Sequence, residues 1–349
     1  MQSVVFSSGD LARRVLAKEL RAVARALRMV DDRSPGWRDL LSALWPHTGK
    51  AWVLGVTGSP GAGKSTLCDQ LISAYRARGE RVGVVAVDPT SPYTGGAILG
   101  DRIRMSRHAT DPDVFIRSLA TRGQMGGLSR SARDATRVLD AAGCGVVILE
   151  TVGVGQDELD VARTAHTTLV VVVPGLGDEV QAIKAGILEC ADAFAVNKAD
   201  RDGADAAVRD LELMISLGNE SILALSKKRG HAVHGAAGAF VGDVAGAPSS
   251  TRWTPPIVKC VAIRGEGMTD MVAALDRHRA WLDGTDAGVA RKRERLTEEL
   301  RATLRESLVD EIAQELSAGI DDAVASVEAR RLDPYTATDD LIAAFRKRP

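Results

Sequence analysis

The stretch Gly58-Ser59-Pro60-Gly61-Ala62-Gly63-Lys64-Ser65-Thr66 constrains this chain more than any other feature. It follows an apolar, β-branched run from Trp52 to Thr57 and precedes a helical pattern. Strand, glycine-rich turn and helix opening on Lys-Ser together make a phosphate loop. Its glycines free backbone N–H groups to curl around a β-phosphate at the positive end of a helix. Lys64 reaches the β- and γ-oxygens, and the Ser65 hydroxyl is a ligand for Mg²⁺. A lone GxGxxG would be weak, but the spaced Gly-Lys-Ser in this context is specific.

The surrounding chain agrees with a loop of this kind. Short β-branched runs recur at Val82–Val87, Val146–Leu149, Leu169–Val173, Ala193–Val196 and Ile257–Ile263, bounded by Gly, Pro, Asp or Asn. Separated by crossover lengths, they predict an α/β fold with a mostly parallel central sheet and helices on both faces. Before the sheet, apolar residues from Leu11 to Val30 predict one amphipathic helix with Asp10 as its N-cap, and Trp37 to Trp45 a second, short one. After it, Leu296, Leu300, Leu304, Leu308, Ile312 and Leu316 recur at steps of four within a charged helical region running from about Val289 to Leu332. Each such step turns ~400°, so the stripe drifts by ~40° per step and leaves one face of a straight helix. The expected organisation is an N-terminal helical extension over 1–50, a phosphate-loop domain over 51–285 and a C-terminal helical arm over 286–349. A Gly-, Ala- and Ser-rich surface insertion is expected at 218–256.

Composition narrows the partners. Lys plus Arg number 45 against 46 for Asp plus Glu, a formal charge of −1, which argues against a dedicated binder of nucleic acid or anionic membrane. Cys68, Cys144, Cys190 and Cys260 form no CxxC pair, so neither a zinc knuckle nor a disulfide framework is indicated, and they read as buried small hydrophobes in a reducing compartment. No apolar run approaches the ~18 residues of a membrane span. Asp10 and Glu19 stand where a transit peptide would avoid acids, so the expected location is the cytoplasm. His231 and His234 form an isolated HxxH, read as part of a solvated loop.

The second chemical signal follows the run Ala193–Val196. Asn197-Lys198-Ala199-Asp200 has the form of the NKxD element of GTPases. There the Asp carboxylate accepts from guanine N1–H and the exocyclic amine, while Asn and the Lys stem hold the ring. Adenine lacks that donor pair, so a buried Asp200 would be left unpaired against it. Three acids complete the set: Asp88 after Val82–Val87, Asp101 beside the stretch Gly95–Gly100, and Glu150 after Val146–Leu149. Carboxylates at strand ends on the phosphate-loop side hold Mg²⁺ directly or through its waters. Glu150-Thr151-Val152-Gly153 has the acid-x-x-Gly form of a switch, with the Gly153 amide free to meet a γ-phosphate.

With these residues the chain resembles the methylmalonyl-CoA mutase-associated GTPases of the MeaB/ArgK type, cobalamin-enzyme chaperones within a class of P-loop GTPases that includes nickel-insertion proteins. The matching text is AVDPTSPYTGGAILGDRIRM from Ala86, ETVGVGQDE from Glu150, VPGLGDEVQAIKAGILECADAFAVNKAD from Val173 and DPY from Asp333. The resemblance implies that the cofactors are GTP or GDP with Mg²⁺, and that Asp88, Asp101 and Glu150 serve the metal and catalysis. It implies a third switch over Gly177–Lys184, in which Lys184 responds to nucleotide and partner. It further implies a homodimer built through the C-terminal helices, whose partner is an adenosylcobalamin-dependent acyl-CoA mutase that it protects and whose cofactor loading it gates.

Two departures stand out. Cys260-Val261-Ala262 replaces the family's Ser-Ala, leaving Ala262 a backbone contact to the base but removing a serine contact. Val154 follows Gly153 where Ras-like enzymes carry a Gln, and Gln156 comes two places later, which predicts a slow intrinsic rate. Two other readings stay open. A P-loop kinase would need a shaped acceptor pocket, for which no motif is evident. A nickel-type metallochaperone would need a His- or Cys-rich loading segment, and the chain has six His.

Overall fold

The structure is a computed structural model, and it describes residues 7–88, 105–108, 110–120, 127–151, 157–175, 190–228 and 253–346. Seven strands form one parallel sheet: β1 (Trp52–Gly58), β2 (Val82–Asp88), β3 (Val114–Ala120), β4 (Val146–Thr151), β5 (Thr167–Val172), β6 (Ala193–Val196) and β7 (Ile257–Lys259). Their order is β3-β2-β4-β1-β5-β6-β7. β1 is buried along its whole length, as a central strand covered on both faces must be, which is why its sequence is a continuous apolar run rather than an alternating one. The register pairs Val56 with Glu150 of β4 and Gly58 with Val171 of β5, so the carboxyl ends of three strands converge on the phosphate loop. Ligand crevices of open α/β sheets lie at such an end.

Helices α1 (Ser8–Leu16), α2 (Leu20–Asp31) and α3 (Trp37–Leu44) precede the sheet; α4 (Lys64–Ala77), α5 (Gly127–Ala141), α6 (Asp157–Thr164) and α7 (Ala204–Lys228) lie between strands. After β7 come α8 (Met268–Gly284), α9 (Asp286–Glu315), α10 (Ser317–Glu328) and α11 (Pro334–Arg346). One buried cluster joins α1, α2, α3, α5 and α6 to a face of the sheet through residues such as Val15, Val23, Leu40, Leu139 and Leu149. A second joins α4 and α8 to the other face through Leu71, Ile72, Leu54, Met271 and Leu275. Burying each such side chain contributes about 1.5–3 kcal/mol, and this holds the phosphate-loop helix α4 against the sheet. The chain divides into two compact units, Met1–Lys292, which holds the sheet and the N-terminal helices, and Arg293–Pro349.

Several local expectations give way. The Leu11–Val30 pattern is two helices, because Lys18 at φ 63° turns the chain between them, and the five-residue step from Val15 to Leu20 is the trace of that turn. Ser7 rather than Asp10 caps α1: its hydroxyl accepts from the Asp10 N–H at 3.3 Å, so Asp10 lies within the first turn. The run Ile257–Ile263 is strand only to Lys259. Val261 then bridges Glu266 and a 3₁₀ turn spans Ala262–Arg264, since Gly265 and Gly267, at φ 71° and 76°, bend the backbone into α8. The region from Gly218 begins as helix, with α7 continuing to Lys228; His231 and His234 lie outside the described residues. The C-terminal pattern resolves into two helices, broken at Leu316, and a third, α11, follows it from Pro334. Cys68, Cys144 and Cys260 are buried, whereas Cys190 is only partly so.

Candidate functional site

The phosphate loop has the backbone its glycines require. Gly58 has φ 137°, and a Cβ there would sit 2.1 Å from the Val171 carbonyl oxygen. Gly63 has φ 91°, and a Cβ there would sit 2.4 Å from Asn197 Nδ2. Both are positions of close approach as well as of left-handed backbone. Ser59, Pro60, Gly61 and Ala62 form the turn between them, closed by the Ala62 N–H donating to the Ser59 carbonyl at 3.1 Å. α4 then starts at Lys64 and carries Ser65 and Thr66 in its first turn, where helix N–H groups lack partners within the helix.

Lys64 is buried and lies back over the loop, its Nζ donating to the carbonyls of Gly58 at 2.7 Å and Ser59 at 3.0 Å. The Ser65 hydroxyl donates to Glu150 Oε1 at 2.5 Å, with both residues buried. Below them Thr151 and Thr57 hydroxyls are 3.3 Å apart, joining β4 to β1. A serine hydroxyl beside a carboxylate is a pair of hard oxygen donors, the chemistry Mg²⁺ takes while keeping waters and phosphate oxygens in its shell. Asp88 ends β2, opposite Ala120 in the β3 register, and Val87 pairs with Thr151, so its backbone stands next to the end of β4. Asp101, Gly153 and Lys184 lie outside the described residues.

The second half of the site is organised by Asn197, which is 3% exposed. Its Nδ2 donates to the Ala62 carbonyl at 2.8 Å and its Oδ1 accepts from the Ala262 N–H at 3.0 Å. One amide therefore joins the phosphate loop to the turn after β7. Lys198, at φ 56°, sends its Nζ to the Gly61 carbonyl at 2.7 Å, which ties the loop after β6 to the phosphate loop a second time. The Ala199 N–H donates to the Cys260 carbonyl at 3.1 Å. Burial pushes the Cys260 thiol up to about 12, so it stays protonated and faces Asn197 Oδ1 at 3.8 Å.

Asp200 departs from expectation. Its side chain is 41% exposed, because the turn through Lys198 carries it beyond the end of β6, and it pairs with Arg264 at 3.2 Å. The Asp200 carboxylate is thus half-exposed rather than buried, with Arg264 as its charged neighbour. Two contributors to this site were not anticipated. Gln70 on α4 donates to the Ala262 carbonyl at 3.0 Å, and Arg264 meets Asp200. Neither carries a motif; Arg264 was signalled only by lying two residues beyond Ala262.

The family model for the methylmalonyl-CoA mutase-associated GTPase MeaB matches residues 23–317. A Pyrococcus abyssi protein provisionally named a GTPase is 41% identical over 334 residues, covering 95% of each chain. Escherichia coli GTPase ArgK is 43% identical over 194 residues, 54% of this chain and 59% of its own. The mouse methylmalonic aciduria type A homolog, mitochondrial, is 34% identical over 218 residues, 62% of this chain and 46% of its own. A crystal structure of a LAO/AO transport system kinase has a TM-score of 0.64 at 24% identity, covering 99% of this chain and 100% of that one, and so shares the P-loop fold. Among the described residues no helix is long and apolar enough to cross a membrane. By family match, by identity over 95% of the chain and by the loop geometry, the chain belongs to the methylmalonyl-CoA mutase-associated GTPases, a family of P-loop GTPases.

Proposed function

We propose that this chain is a GTP-hydrolysing chaperone that protects an adenosylcobalamin-dependent acyl-CoA mutase, gates its cofactor loading and works as a homodimer in the cytoplasm. The observation that carries the nucleotide part is the double engagement of Asn197, which sets the phosphate-binding and base-binding loops in one frame. In this reading the backbone of Gly58–Thr66 receives the phosphates and Lys64 turns from its carbonyl partners to the β- and γ-oxygens. Ser65 and Glu150 would hold Mg²⁺, with Asp88 and Asp101 as further acids, and the ion when bound would offset charge on the phosphates. Asp200 accepts from guanine and Ala262 offers its backbone to the base. Gly153 and the segment 177–184, including Lys184, act as switches that lose their contacts when the γ-phosphate leaves.

The reaction is transfer of the γ-phosphoryl group to water. With Val154 in place of a water-positioning Gln, the site needs its partner to complete it. Support for the dimer comes from the second compact unit, where Leu296, Leu300, Leu304 and Leu308 are all exposed, a row of apolar side chains unsuited to remaining in water. The family's name, for methylmalonyl-CoA mutase, and a relative named for methylmalonic aciduria support the choice of client.

Nucleotide titration tests the base reading. Asp200→Asn should weaken GTP binding and strengthen binding of xanthosine triphosphate, because the new amide donates to the xanthine 2-oxo group. An unchanged preference contradicts it.

A further inference from the structure

The turn after β7 carries a three-residue charge chain that ends on the base-reading carboxylate. Arg264 is held on one side by Glu266, Nε to Oε1 at 2.7 Å and Nη2 to Oε2 at 3.2 Å. Its remaining nitrogen, Nη1, donates to Asp200 Oδ2 at 3.2 Å. The platform under this chain is firm. The Val261 N–H donates to the Glu266 carbonyl at 3.0 Å, Gln70 holds the Ala262 carbonyl, and Asn197 holds the Ala262 N–H. A Cβ on Gly267 would sit 2.2 Å from the Lys259 carbonyl oxygen, so the backbone there is closely packed. Arg264 therefore projects from a fixed turn, with its guanidinium plane set by a forked carboxylate contact.

We infer that Arg264 is a positioning residue for guanine recognition, holding the exposed Asp200 carboxylate in the orientation that meets the base. This rests on the reading of Asp200 as the guanine acceptor. Two parallel bonds to guanine N1–H and its exocyclic amine require both carboxylate oxygens in the plane of the base. An Asp side chain that is 41% exposed turns freely about its terminal bond unless something pins it. Arg264 pins one oxygen from the side, and a carboxylate oxygen has a second lone pair left for the base. Glu266 keeps Arg264 from swinging into solvent, and the Arg264 guanidinium in turn holds the Glu266 carboxyl below the usual range. Because all three groups are largely exposed, the effect is modest: about threefold to fivefold in affinity is what exposed ion pairs support.

The test is a cycle of Arg264→Ala and Asp200→Asn, alone and combined, in the full chain, with Kd measured for GTP and xanthosine triphosphate and folding checked by melting. The expected result is that Arg264→Ala weakens GTP binding about threefold to fivefold in the otherwise native protein. In the Asp200→Asn background it should change the affinity for xanthosine triphosphate by less than about twofold, since a neutral amide gives the guanidinium little to hold. If Asp200→Asn switches the preference but Arg264→Ala either leaves GTP binding alone or weakens both nucleotides equally, Arg264 has no positioning role and the base reading still stands. If Asp200→Asn does not switch the preference, the base reading fails and the inference fails with it.

Discussion

The Ser65 hydroxyl donates to the Glu150 carboxylate across 2.5 Å, joining the first turn of α4 to the end of β4. Two oxygen donors at this distance can close on one small cation. Glu150→Gln keeps the size and a hydrogen-bonding partner for Ser65 but removes the charge that would face Mg²⁺. The variant should fold, bind GDP in the absence of metal about as well as the native protein, and need at least tenfold more Mg²⁺ for half-maximal hydrolysis, a factor equal to about 1.4 kcal/mol. Titration of activity against Mg²⁺ checks this; an unchanged metal requirement would remove Glu150 from the metal site.

A second prediction concerns acid stability. His278 on α8 is wholly buried, with Nδ1 2.8 Å from Thr167 Oγ1 and Nε2 3.4 Å from Asp192 Oδ1. Trp52 Nε1 donates to the same Thr167 hydroxyl at 2.9 Å. Arg291 holds Asp192 through two bonds of 2.6 and 3.0 Å, and Trp253 and Trp281 pack against the imidazole. Burial, together with the Arg291 charge and against the pull of Asp192, lowers the His278 pKa to about 4. The imidazole is therefore neutral at pH 7, and Asp192 is paired with Arg291 rather than with a histidinium. Because the unfolded chain takes up this proton near pH 6.5 and the folded chain near 4, stability rises with pH across that window. It should fall by roughly 3 kcal/mol on acidification from 6.5 to 4. His278→Gln should give a shallower pH slope in urea denaturation; equal slopes for both proteins would show that another group sets the acid limit.

The third prediction concerns the C-terminal arm. Arg291 and its partner Asp192 lie within the first compact unit, whereas Leu296, Leu300, Leu304 and Leu308, all exposed, lie in the second. A chain ending at Lys292 keeps the phosphate loop, Asn197 and Ala262, and should bind GTP as a monomer by light scattering. A truncated protein that remains dimeric would place the interface elsewhere, and one that cannot bind GTP would make the arm part of the nucleotide core.

The phosphate loop was legible because each of its residues answers a local demand. Gly58 and Gly63 leave no room for a Cβ, Lys64 must reach from the first helical turn, and Ser65 must lie beside a strand-end acid. Asn197 was marked by the NKxD form, but for contact with the base; that its amide donates to the Ala62 carbonyl and accepts from the Ala262 N–H is a tertiary feature the motif does not state. Other features depended on tertiary context. β3 escaped notice because Arg117 and Ser118 interrupt its apolar run; it is an edge strand, and Arg117 reaches Asp31 of α2 at 3.0 Å. The turn at Lys18 uses a left-handed backbone without a glycine to announce it. The exposure of Asp200 is set by the turn at Lys198, and its pairing with Arg264 by the path of the chain after β7, neither of which is written in residue spacing.

The measurement that bears most directly on the whole account is GTP turnover by the full chain, alone and with a purified adenosylcobalamin-dependent methylmalonyl-CoA mutase. With Val154 after Gly153, the free protein should hydrolyse GTP slowly, and the mutase should raise kcat by up to ~10³-fold if it orders the switches or supplies a transition-state contact. Lys184→Ala should blunt that stimulation more than it alters nucleotide affinity. A fast intrinsic rate that neither this mutase nor any related acyl-CoA mutase changes would contradict the reading of the chain as a chaperone whose hydrolysis is coupled to a cobalamin enzyme.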